Sequence, residues 1–216
     1  VSLFVKLMKK LISATLSCMV TFVVVAADFD IRNEVEFKKI IPPGAKLAKL
    51  VGDFKFTEGP VWVPENVGYL IFSDIPANHL IKWDSKNGAT VFREDSHNSN
   101  GNTIDRKNRL LTAEHSGRRV SLTEKDGEIK TVASEYDGKK LNSPNDVVVE
   151  SDGTIWFTDP DYGVGKKEKE QPGNFVFRFD PKTKNLTVVA KDFDKPNGLC
   201  FSPDEKKLYI ADSGKP

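Results

Sequence analysis

Two residue types that build many small-protein sites are scarce here: the 216-residue sequence holds two cysteines and three histidines. That excludes a disulfide scaffold and argues against a zinc site of the Cys/His kind. Neither sign of charge prevails, since 32 Lys and Arg face 31 Asp and Glu. With no basic block, there is no electrostatic case for nucleic-acid binding. No Gly-x-Ser-x-Gly elbow occurs, which leaves a serine-esterase route without support. What is there is an ordinary soluble balance of 38% apolar, 29% charged and 10% aromatic residues. Fifteen Gly and 12 Pro are scattered along the chain, which points to many turns and therefore many short strands.

The first 27 residues read as an address. Met8-Lys9-Lys10 opens a short basic stretch, and an apolar run follows from Leu11 to Ala27, ending Val25-Ala26-Ala27 before Asp28. This is the secretory pattern, with small residues where a signal peptidase reads. It predicts a signal peptide over 1–27, cleavage near Ala27, and a secreted or periplasmic domain over 28–216 with no stable membrane insertion. The competing reading is a membrane anchor at the short limit for a span. Thr15-Leu16-Ser17 is a poor lead-in for a lipid anchor at Cys18, and Met8 is a candidate start. Without Lys6, Lys9 and Lys10 the 32 basic residues become 29 against 31 acidic. Cys200 is then the one cysteine, so no internal disulfide can form.

A repeat runs through the rest. Glu58-Gly59-Pro60-Val61-Trp62 leads to Tyr69–Asp74; Asn102-Thr103-Ile104 to Leu110–His115; Asn145-Asp146-Val147 to Ile155–Asp159; and Asn197-Gly198-Leu199 to Leu208–Asp212. Each unit reads polar residue, apolar strand, tight turn, second apolar strand, polar residue. Asp-Gly and Ser-Pro-Asp are hairpin chemistry. In the third unit, Asn174–Asp180 and Leu186–Ala190 follow as two more strands around the turn at 181–185. The polar stretch Tyr162–Gly173 is expected to be a surface loop. Four strands at a period near ~40–45 residues is the signature of a propeller blade; a chance run of hairpins in a sandwich is the alternative. The sequence supplies three full units and half of a fourth. Val35–Phe54 is expected to give one or two strands to a closing blade.

In a propeller the first strand of each blade lines the axis, so Glu58, Asn102, Asn145 and Asn197 would form a ring of one carboxylate and three amides. Oxygens at that density suit Ca²⁺ or Mg²⁺ rather than zinc. Taken singly, each Asn is also a routine turn former. The second strands end in Asp74, His115, Asp159 and Asp212, which hairpin geometry would return to the same face as a rim around the ion. Turn-forming Asp is the competing reading. Arg118 and Arg119 could meet an anionic or sugar-like ligand, or simply be solvated.

Several motifs together are specific: Phe56-Thr57-Glu58-Gly59-Pro60-Val61-Trp62, Gly101-Asn102-Thr103-Ile104-Asp105, Glu114-His115-Ser116-Gly117-Arg118-Arg119-Val120, Asn142-Ser143-Pro144-Asn145-Asp146, Trp156-Phe157-Thr158-Asp159-Pro160-Asp161-Tyr162-Gly163 and Lys195-Pro196-Asn197-Gly198-Leu199. From about residue 35 onward the chain resembles the gluconolactonase/regucalcin-like family.

The resemblance implies an all-β, six-bladed propeller, of which this chain supplies roughly the first four blades. It also implies one axial divalent ion, Ca²⁺ first and Mg²⁺, Zn²⁺ or Mn²⁺ behind it, and the hydrolysis of sugar lactones. Some relatives hydrolyse organophosphates or other lactones. Carried over by residue, Glu58 and Asn197 match metal ligands, Asn145 matches a metal or substrate contact, and Asn102 and His115 match positions facing the substrate. The family's last ligand and general base is an Asp of the following blade, to which no residue here corresponds; Asp212 is the acid offered in its place. The implied chemistry is metal-assisted ester hydrolysis: the ion polarises the carbonyl and acidifies water, and a carboxylate takes the proton. A non-catalytic, metal-binding propeller used for interaction is the other reading.

Overall fold

The turns dictate the architecture. Asp105 Oδ1 accepts from the amides of Lys107 and Arg109, at 2.8 and 2.9 Å. Asp152 and Asp204 make the same kind of bond to Thr154 and Lys206. An Asp that bonds the backbone two residues ahead closes a tight hairpin, and each such turn joins the first two strands of a unit. In the computed structural model, which describes residues 29–214, the strands so joined build four antiparallel sheets.

The first sheet runs β1 (Thr57–Val63), β2 (Tyr69–Asp74), β3 (His79–Asp84) and β4 (Gly88–Arg93). The second runs β5 (Ser99–Ile104), β6 (Leu110–Glu114), β7 (Arg119–Thr123) and β8 (Ile129–Ala133). A small hairpin, β9 (Glu135–Tyr136) and β10 (Lys139–Lys140), follows. The third sheet runs β11 (Val147–Val149), β12 (Ile155–Asp159), β13 (Phe175–Asp180) and β14 (Asn185–Ala190). The last pairs β15 (Pro196–Phe201) with β16 (Leu208–Asp212). Strand order follows chain order in all four, as in propeller blades. The first strands lie side by side: β5 packs against β1 and β11, and β15 against β11 and β12.

Apolar residues that alternate along the strands meet between the sheets. Leu111, Ala113, Val120, Val147, Phe157 and Phe177 form one buried cluster, with the Phe157 and Phe177 rings stacked at 5.2 Å. Val63, Ile71, Leu80 and Leu110 form another between the first two sheets. Buried hydroxyls stitch the sheets together as well. Ser73 donates to Asn100 O at 2.7 Å, and Thr158 donates to Asn197 O at 2.8 Å.

The expected strands in 35–54 are not formed. Residues up to Leu50 are a unit of their own, whose described part carries helix α1 (Glu34–Ile40), and no strand lies between 41 and 56. The local sequence explains the helix. Asn33 caps it through Glu36 N–H, Glu34 and Glu36 sit in the first turn, and Lys38 and Lys39 in the last, the order that the helix dipole favours. Pro42 and Pro43 prevent its continuation. The stretch 162–173 is a loop, as expected, but not wholly a surface one. Gln171 is buried and donates to the carbonyls of Tyr136, Lys139 and Lys140. The signal segment 1–27 and Cys18 lie outside the described residues.

Candidate metal and active site

Strand pairing fixes the phase of the repeat. Thr57 faces Asp74, Ser99 faces Glu114, and Pro196 faces Asp212. The residues that follow the first member of each pair are Glu58, Asn100 and Asn197. In the third unit Asn145 N–H donates to Thr158 O at 2.9 Å, so Asn145 faces Thr158 as Glu58 faces Ser73. The ring of equivalent positions is therefore Glu58, Asn100, Asn145 and Asn197. Asn102 lies two residues beyond it, past a register shift between Ser99 and Asn102. Its amide is spent within the protein: Nδ2 donates to Gly59 O, Ser73 Oγ and Asn100 O, and Oδ1 accepts from Thr112 Oγ1.

The expected rim of acids needs the same correction. In the second unit its member is Glu114, not His115, and Glu114 is buried against Arg119 and Ser121. The Asp members do not encircle an ion. Asp74 accepts from the amides of Lys55 and Phe56. Asp159 accepts from Asn142 N–H. Asp212, offered as the catalytic acid, is exposed and accepts from the amides of Asp194, Lys195 and Gly214. Each such carboxylate holds the backbone entering its own unit, because hairpin pairing puts the end of the second strand beside the start of the first. The bonds that do so span 17 to 19 residues, so the Asp side chains act as long-range clamps on the backbone rather than as local turn formers.

His115 sits one residue past β6 and is buried. Its Nε2 lies 3.2 Å from Asn100 Nδ2 and 3.3 Å from Asn145 Nδ2. Burial lowers its pKa to about 4, so the ring is neutral near pH 7. Gly163, from the loop after β12, closes over it: a Cβ there would fall 2.9 Å from His115 Cβ and from Ser143 Cβ. Arg118 turns away from this group, donating to Leu141 O and pairing with Glu170.

Asp146 is the functional candidate that repeat reading passed over. At the position after the ring residue the other units carry Gly59, Gly101 and Gly198; here alone a side chain is present. Its Oδ1 accepts from Val147 N–H at 2.9 Å and its Oδ2 from Leu199 N–H at 3.1 Å. Burial raises its pKa, and the nearby Glu58 charge raises it further, against the two amide bonds. Asp146 thus brings a second carboxylate to the ring beside Glu58. The signal was legible as the break in an otherwise regular Gly column. Asn100 was legible too, because Asn100-Gly101 repeats Asn197-Gly198.

The donors present fit a hard cation. Glu58 is exposed and its carboxylate makes no hydrogen bond or ion pair among the described residues. The Oδ1 atoms of Asn100, Asn145 and Asn197 likewise have no protein donor there. Amide oxygens without protein donors, at repeat positions equivalent to that of the Glu58 carboxylate, are donors of the type that suits Ca²⁺ or Mg²⁺. No group of three or more His, Cys, Asp or Glu is arranged for a metal among the described residues, so an ion held here would rest largely on amide oxygens.

Sequential four-stranded sheets with polar strand starts define a propeller-type protein with an oxygen-rich site on its innermost strands. Residues 56–215 match the SMP-30/Gluconolactonase/LRE-like region, and the chain belongs to that family. It is 32% identical to the gluconolactonase of Zymomonas mobilis over 82% of this chain and 54% of the relative. The solved gluconolactonase of Xanthomonas campestris is 34% identical, with a TM-score of 0.69, over 74% of this chain and 55% of that one. A calcium-binding regucalcin from Agrobacterium tumefaciens shares the fold at 20% identity and a TM-score of 0.58, over 74% of this chain and 51% of that one. The chain thus spans little more than half the length of these relatives.

Proposed function

We propose that the protein carrying this chain is a secreted or periplasmic lactone hydrolase that opens sugar lactones with one divalent cation, Ca²⁺ first, on the axis of a six-bladed ring. The observation that carries this reading is the strand-start set Glu58, Asn100, Asn145 and Asn197, whose oxygens have no protein donors, in a chain of the gluconolactonase family. Glu58, Asn145 and Asn197 would hold the ion, which when bound supplies Lewis-acid polarisation of the lactone carbonyl and acidifies water.

The chain's own residues then set binding and geometry. Asn100 and Asn145 offer carbonyl oxygens to the ion or to sugar hydroxyls. His115 stays neutral and adds no charge to the pocket. Gly163 lets the loop after β12 lie flat over His115, which limits water on that side. Asp146 adds a second carboxylate beside Glu58, held in place by the backbone N–H groups of Val147 and Leu199. Asp212 is exposed and clamps the backbone entering its own unit, and is not proposed as the base. The base falls to the Asp that the family carries in its next blade.

The test is a pH-stat assay with D-glucono-1,5-lactone. Acid release above the spontaneous rate, abolished by a chelator and restored by Ca²⁺, is the expected result. Cation binding without any turnover would leave the non-catalytic reading.

A further inference from the structure

We propose that His115 is a positioning residue: its bare Nε2 accepts from the side-chain amides of Asn100 and Asn145 and thereby turns both carbonyl oxygens away from the imidazole and leaves them for the cation or substrate. This inference rests on the metal-site reading above.

An asparagine side chain can present either end of its amide to a neighbour. For a hard cation only the oxygen end is useful, so a ring built from amides needs something that sets their orientation. Asn100 Nδ2 and Asn145 Nδ2 lie 3.2 and 3.3 Å from the same ring nitrogen. An amide nitrogen is a donor only, so Nε2 must be the acceptor and the ring proton must sit on Nδ1. Each Oδ1 is on the opposite side of its own Cγ from Nδ2 and therefore points away from the imidazole. Neither oxygen has a protein donor among the described residues.

Nε2 thus shares its single lone pair between two amides, that of Asn100 on β5 and that of Asn145 two residues before β11. Its own position is set from three sides. His115 N–H donates to Asn98 O, its carbonyl accepts from Arg118 N–H at 3.2 Å, and Gly163 packs on its Cβ. A His at this point faces the ring without entering it, and would act on the ion only through the asparagines. Outer partners of this kind are worth about 10–100-fold in metal affinity.

Two measurements on the protein that carries this sequence test the proposal. The first reads the His115 tautomer by ¹⁵N-detected NMR on the cation-free protein near neutral pH. The expected signature is an unprotonated Nε2 and a protonated Nδ1; a proton on Nε2 overturns the proposal, whatever the metal does. The second titrates Ca²⁺ calorimetrically into wild type, His115→Leu and His115→Gln. Leu offers no acceptor and should weaken Ca²⁺ binding about tenfold or more. Gln places an acceptor oxygen at similar reach and should recover most of the affinity. If His115→Leu binds Ca²⁺ as wild type does, or Gln is no better than Leu, the positioning role is wrong. If wild type itself binds no Ca²⁺, the metal-site reading fails first and this inference with it, an outcome distinct from a defect confined to the variants.

Discussion

Gly101 lies flat against Asp146: a Cβ on Gly101 would fall 2.6 Å from the Asp146 Cα and 2.7 Å from Asn145 O, and would overlap Asp146 Oδ1. The glycine exists because the next sheet's innermost strand approaches it so closely, at the one unit where the neighbour carries a carboxylate. Backbone cannot yield as a flexible side-chain end would. Gly101→Ala should therefore cost about 1–3 kcal/mol as overpacking, seen as a lowered thermal midpoint. It should also weaken Ca²⁺ binding by displacing Asn145 and Asp146 together. An unchanged midpoint with intact binding would show that the two strands separate more easily than this packing implies.

Asn102 offers a test between structure and substrate contact. Its amide makes four hydrogen bonds, to Gly59 O, Ser73 Oγ, Asn100 O and Thr112 Oγ1. Removing it leaves buried partners unsatisfied, each worth about 1–3 kcal/mol. Asn102→Ala should lower the denaturant midpoint clearly. A variant that keeps its stability but raises KM for the lactone would instead assign Asn102 to the substrate.

The hairpins were legible because Asp-Gly and Ser-Pro-Asp turns are local chemistry, and β1, β5, β11 and β15 start within a few residues of where the repeat puts them. The phase was less legible. Motif order set Asn102 beside Glu58, but the pairing of Ser99 with Glu114 puts Asn100 there, and a bulge cannot be counted from the sequence. Asp74, Asp159 and Asp212 were visible as a column but not as clamps on their own units, since the bonds that occupy them come from backbone amides. Helix α1 carries no apolar strand pattern and is marked only by local end signals, the Asn33 cap, the Glu pair and the Lys pair.

Two neighbouring acids should give opposite pH responses. Burial pushes Asp159 up to about 7 against the amides of Asn142 and Ser143. The folded state then keeps a proton that the unfolded chain releases above about 3.9, so stability falls as pH rises from there towards 7. Asp159→Asn should flatten that decline. Burial also acts upwards on Asp161, but hydrogen bonds from Lys195 and Lys169 outweigh it and bring its pKa down to about 2. Its contribution is present above about 3.9 and is lost as pH falls towards 2. Asp161→Asn should remove that acid-side loss. Thermal midpoints recorded from pH 2 to 8 for the three proteins check both signs; parallel curves would refute both assignments.

Glu58→Gln should separate the cost of the site from its use. Without a cation, Glu58 and Asp146 are like charges close enough for one to raise the other's pKa, on top of burial. Like charges oppose folding, and Gln keeps the size of Glu while removing that repulsion. The cation-free variant should therefore be at least as stable as wild type at pH 7. Hard-cation affinity depends on carboxylate charge, so the same variant should lose most of its Ca²⁺ affinity. A ligand that binds only the folded state raises the midpoint in proportion to RT ln(1 + [L]/Kd). Wild type should gain stability on adding millimolar Ca²⁺, and Glu58→Gln should gain little, so their order of stability should narrow or reverse between the two conditions. Thermal melts in chelator and in Ca²⁺, run side by side, read this directly. A variant destabilised in chelator would mean that Glu58 supports the fold rather than the ion, and an undiminished Ca²⁺ shift would remove Glu58 from the ligand set.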